Sequence, residues 1–219
     1  MSHDPENGHL IIDVALDRGK MPSFLKMPPG GERVPEGLRL ISDSGLSAPT
    51  PTETAPLTFA LPEVPFRRLE ISCRLRFPGP RPPGFFSLSV AGVTFLGIDH
   101  LRDDAAFRGE PLHGLERPLW SPQKIGRALF WEGELSSYLK GWKGAADGFG
   151  LPLDSDLDML IVLDSERKKA QANVAGRSWA LSVKRIGSGP MAIEFRGFPV
   201  LVLKRLRLEF RLAALESSR

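Results

Sequence analysis

The residues best able to do chemistry cluster in the middle of the chain. Asp154, Asp156 and Asp158 fall at every second position in the run LDSDLDM. On a strand, that spacing puts three carboxylates on one face. Two carboxylates held about 5.5 Å apart can carry retaining glycoside hydrolysis, one as nucleophile and one as acid and base. Pro152 and Ser155 favour an exposed acidic turn instead. Closely spaced aspartates also suit a hard cation such as calcium, although the glycine that an EF-hand loop requires is missing. His100 lies near Asp103 and Asp104, and His113 is within reach in sequence. A histidine beside a carboxylate is the minimum for general base work, but no nucleophile is placed near it, and a polar surface loop is the simpler reading. Asp154, Asp156, Asp158 and His100 are thus the catalytic candidates.

Aromatic residues make the stronger lead. Trp120, Trp131 and Trp142 are three of the four tryptophans, and they surround Tyr138, the only tyrosine. Aromatic faces stack on the apolar faces of sugar rings and also anchor protein interfaces. Trp120, Trp131, Tyr138 and Trp142 are therefore candidate ligand-binding residues, against the plainer alternative that they pack this segment onto the core. Arginines provide a third pattern: Arg67, Arg68, Arg74 and Arg76 in one stretch, Arg205, Arg207 and Arg211 in another. If the two stretches are neighbouring strands, their guanidinium groups form a stripe able to hold acidic glycans, phosphate or an acidic partner. Glu70 and Glu209 offset part of that charge. No phosphate-binding loop, dinucleotide fingerprint, zinc spacing or nucleophile elbow occurs.

These residues must be positioned by strands. Leu69, Ile71, Cys73, Leu75 and Phe77 alternate with polar residues, as do Leu206, Leu208, Phe210 and Leu212. Such period-two patterning marks strands with one buried face. Met191, Ile193 and Phe195 form a shorter alternation, separated from the last one by a Gly-Phe-Pro corner. Further strands are expected at 9–14, from 38, at 85–90 and 93–98 around Ala91-Gly92, at 158–164, at 169–174 and at 177–183 around Ala175-Gly176. Residues 15–37 and 43–56 read as loops. Residues 99–157 break the pattern and read as an insertion, with helices expected at 121–131, where Ser121-Pro122 suits a helix start, and at 134–142.

Twenty-two glycines and 20 prolines among 219 residues suit many strands joined by turns rather than long helices. The expected fold is all-β: a two-layer antiparallel jelly-roll sandwich spanning residues 1–219 as one domain, with a helical or irregular insertion at about 99–157. A formal charge of +3 is too small to imply nucleic acid, and no stretch is long enough for a membrane-spanning helix. One cysteine permits no internal disulfide. The N-terminus has no basic region before its short apolar run, so no secretory signal is read and a reducing cytoplasmic setting is expected. A chain stripped of its leader would look the same.

Two segments resemble a known superfamily. DSERKKAQANVAGRSWAL is similar to the strand, Val-x-Gly, strand element of concanavalin A-like (laminin-G-like) jelly rolls. GSGPMAIEFRGFPVLVLKRLRLEF resembles the closing strands of the 3-keto-disaccharide hydrolase type, with Gly189-Pro190-Met191-Ala192-Ile193-Glu194 and Gly197-Phe198-Pro199-Val200 in the matching places. EGLRLISDSG followed by FRRLEISCRLRF fits that type's opening. The chain departs from the type at Glu194-Phe195-Arg196, where a glutamine-containing pair is usual. The resemblance implies the sandwich fold. Taken with the aromatic segment, and with the departure at Glu194-Phe195-Arg196, it leads to the expectation of a carbohydrate-binding, non-catalytic module, displayed on a surface appendage or larger assembly. Two alternatives stay open: a glycoside hydrolase-like enzyme, and a structural subunit or homo-oligomer that binds protein through its arginines and aromatics. Expected partners are a glycan or polysaccharide, with a protein partner as the alternative, and neither nucleic acid nor membrane. No cofactor is expected, with calcium left open.

Overall fold

The computed structural model describes residues 2–4, 8–17, 25–26, 31–41, 56–78, 85–98, 126–132, 144–149, 154–186, 191–198 and 200–213. Sixteen strands arise among them. In chain order they are β1 (Ser2–Asp4), β2 (His9–Ala15), β3 (Leu25–Lys26), β4 (Gly31–Val34), β5 (Gly37–Ile41), β6 (Leu57–Ala60), β7 (Phe66–Arg76) and β8 (Phe85–Val90). They continue with β9 (Val93–Ile98), β10 (Gly126–Glu132), β11 (Gly144–Phe149), β12 (Asp156–Asp164), β13 (Lys169–Val174), β14 (Arg177–Ser182), β15 (Ala192–Phe198) and β16 (Val200–Leu212).

The strands form two antiparallel sheets. The first runs β1-β2-β16-β7-β12-β13-β14, with β5 also on β16 and β4 on β5; the second runs β11-β10-β9-β8-β15-β6-β3. Alternation gives each sheet one apolar side, and those sides face each other. Along β7, for example, Leu69, Ile71, Cys73 and Leu75 are buried while the residues between them are not. Leu69, Ile71, Leu75, Leu206, Leu208 and Phe210 from the first sheet join Phe59, Phe86, Phe95, Phe130 and Phe195 from the second in one buried cluster.

Aromatic contacts tie the two layers together. Phe77, just after β7, packs on Phe86 of β8 with ring centroids 5.3 Å apart, and Trp179 of β14 meets Phe95 of β9 edge-on at 5.3 Å. Burying each such side chain stabilises the fold by about 2 kcal/mol. The chain passes from the second sheet to the first between Phe198 and Val200, so the Gly-Phe-Pro corner is where it changes layer. Along β16 the buried positions include Leu201 and Leu203, then Leu206, Leu208 and Phe210. The change of parity coincides with a register shift against β7 between Leu203 and Arg205, a bulge that keeps both halves of a 13-residue strand facing the core.

Two tight turns and one close approach fix the hairpins. Ala91-Gly92 and Ala175-Gly176 both have positive φ at each central residue, the pattern of a type I′ turn, whose twist matches that of the strands it joins. Gly37 has φ +148°, and a Cβ there would run into the backbone carbonyl of Leu203. Glycine therefore lets the β4–β5 hairpin lie against β16.

Two sequence expectations are corrected. Residues 15–37, read as loop, contain β3 and β4; both are short, and Pro and Gly around them mask the apolar pattern. The helix expected at 121–131 is overturned by β10, which hydrogen-bonds to β9 on one side and β11 on the other. Ala128 and Phe130 enter the core two residues apart, and Phe130 packs on Phe95. Tertiary pairing outweighs the local helix-start signal, and Gly126 weakens the helix further. The helix expected at 134–142 lies outside the described residues. Among the described residues, no helix is long and apolar enough to cross a membrane.

Candidate functional site

Each sheet has an outer side, turned away from the core, and each carries a distinct set of polar groups. In the second sheet, Phe86, Leu88 and Val90 of β8 point into the core, so Ser87 and Ser89 lie on the outer side. Ser87 stands opposite Arg196 of β15, and Ser89 opposite Glu194. On the other flank, Ser89 stands opposite Thr94 of β9. The Ser89 and Thr94 hydroxyls are 2.9 Å apart, and Arg196 Nη2 lies 3.2 Å from Glu194 Oε2. The result is a compact patch of three hydroxyls, a guanidinium and a carboxylate. Ser87 and Thr94 are fully buried, whereas Arg196 and Glu194 reach solvent in part. The Ser87 hydroxyl has no hydrogen-bond partner among the described residues. An unpaired buried hydroxyl costs about 1–3 kcal/mol.

β10 borders this patch. Trp131 pairs through its backbone with Thr94 and Gly144. The next residue, Glu132, accepts hydrogen bonds at Oε1 from the backbone N–H groups of Lys184 (2.8 Å) and Arg185 (2.9 Å). That contact ties the end of β10 to the chain leaving β14, across the two layers. Trp120, Tyr138, Trp142 and His100 lie outside the described residues.

The three aspartates sit at the start of β12, on the outer side of the first sheet. Asp154 is in the preceding turn with φ +51°, and its Oδ1 is 3.9 Å from Arg76 Nη2. Asp156 Oδ1 is 2.5 Å from Lys204 Nζ. Asp158 accepts from both Nε (2.8 Å) and Nη2 (3.2 Å) of Arg74. Each carboxylate is thus matched with a different cation. Among the described residues, no group of three or more His, Cys, Asp or Glu side chains could hold a metal ion.

The arginine stretches do become neighbours, because β7 pairs with β16. Arg205 stands opposite Arg74, Arg207 opposite Ser72, Arg211 opposite Arg68, and Glu209 opposite Glu70. Two acidic partners of this stripe come from adjacent strands far away in sequence: Asp158 of β12 on Arg74, and Asp13 of β2 on Arg205. The hydrogen bond from Arg205 holds the Asp13 carboxyl below its ordinary range, and the same pair raises the Arg205 guanidinium further. Cys73 points inward; burial, with a lesser contribution from the Asp158 charge, pushes its thiol well above the usual range. It is a core residue, not a nucleophile.

The architecture matches that of known lectins. Peanut lectin aligns with a TM-score of 0.58 over 94% of this chain and 99% of its own, at 7% identity. The carbohydrate recognition domain of Emp46p, in a potassium-bound form, aligns with a TM-score of 0.55 over 91% of this chain and 96% of its own, at 9% identity. No family model matches the chain, and no curated protein matches its sequence. The fold is a concanavalin A-like jelly roll.

Proposed function

We propose that this chain is a carbohydrate-binding module that holds its ligand without turning it over. The observation that carries the reading is the polar patch on the outer side of the second sheet, built on a fold shared with lectins. Sugar hydroxyls are recognised by fixed donors and acceptors. Arg196, Glu194 and Ser89, which reach solvent in part, offer both within one small area, with the buried Thr94 hydroxyl behind Ser89. Aromatic faces for stacking on sugar rings are assigned, in this reading, to the sequence candidates Trp120, Trp131, Tyr138 and Trp142. Binding is favoured over hydrolysis because Asp154, Asp156 and Asp158 each engage their own cation.

The test is retention of the purified protein in gels cast with a series of polysaccharides. Arg196→Ala and Trp131→Ala should each lose retention by about tenfold or more while keeping the wild-type unfolding midpoint. Retention unchanged in both folded variants would remove this patch as the binding site.

A further inference from the structure

A second polar site lies on the opposite side of the molecule, and it does not depend on the reading above. On the outer side of the first sheet, one row runs Asp13, Arg207, Ser72, Leu160, Asn173, Ser178 across five adjacent pairings. The next row runs Arg205, Arg74, Asp158. Short side chains at Ser72 and Asn173, with Gly176 at the hairpin end, leave a dip between long arginines. The dip is a groove of about 430 Å³, within the size range of small-ligand sites.

Its polar groups have different freedoms. Arg74 and Arg205 are each held by a carboxylate through two nitrogens. Among the described residues, Arg207 makes a single 3.3 Å contact, from Nη2 to Glu209 Oε2, and keeps the rest of its donor fork open. The Ser178 hydroxyl donates to Asn173 Oδ1, which leaves the Asn173 amide N–H groups as donors. Asp158 retains lone pairs beyond those taken by Arg74, and Ser72 can donate or accept. The groove therefore combines an arginine fork with neutral donors and one charged acceptor.

We propose that this groove binds a saccharide-sized ligand bearing one sulfate or carboxylate group, with Arg207 taking the anion and Asn173, Ser72 and Asp158 taking hydroxyls. Arginine's planar fork matches such oxyanions in two-point contacts. Calorimetric titration with a monosulfated disaccharide, a uronic-acid disaccharide, a neutral disaccharide and inorganic sulfate tests it. At least one anionic disaccharide should bind more tightly than either the neutral disaccharide or sulfate. Arg207→Ala should weaken that binding by about tenfold or more, Arg207→Lys should weaken it less, and Arg67→Ala, outside the groove, should leave it unchanged. Equal weakening by Arg67→Ala would mean diffuse charge attraction and overturn the site. So would binding no tighter than that of sulfate, or no binding by protein whose unfolding midpoint is intact. Loss at this groove with polysaccharide retention preserved separates this site from the patch on the second sheet.

Discussion

Asp13 and Arg205 lie 192 residues apart in sequence and meet through two hydrogen bonds. Because the Asp13 carboxyl is held below its ordinary value, the pair's contribution is fully present above the unfolded carboxyl value of about 3.9. It is lost as pH falls through the lower folded value. Both side chains are exposed enough for solvent to screen the pair, which keeps its effect small. Asp13→Asn should therefore be less stable than wild type near pH 7, with the gap closing as pH is lowered below about 4. Urea unfolding across that range measures it, and a gap that widens toward acid would contradict the pairing. The arginines and the acidic run are legible in the sequence. Their mutual pairing is not, since Asp13 and Asp158 reach Arg205 and Arg74 only through sheet register.

At the level of elements, the type I′ turn at Ala175-Gly176 gives a clean substitution. A Cβ at Gly176 would meet no atom within 4 Å, so Gly176→Ala tests backbone conformation alone. It should cost about 1 kcal/mol, whereas Ala175→Asn, better suited to the left-handed region, should raise the urea midpoint. Glu132→Ala should cost about 1 kcal/mol, because two backbone N–H groups lose their acceptor, and Glu132→Gln should cost less. Strands with strict alternation, such as β7 and the second half of β16, can be read directly from the chain. β10 cannot, because its apolar residues fit helix spacing as well as strand spacing, and only pairing with β9 and β11 decides between them. β11, GAADGF, has too little apolar pattern to be seen alone.

At the level of the whole molecule, one apolar core holds two polar faces apart, a hydroxyl-rich patch on one sheet and an arginine-lined groove on the other. The same jelly roll can carry many activities, so the choice among them rests on what these faces bind. A glycan-array screen of the purified protein, run with calcium and with chelator, addresses this most directly. Reproducible binding to one sugar class, lost in Arg196→Ala, is the result expected. A blank array from folded protein in both conditions would contradict carbohydrate recognition.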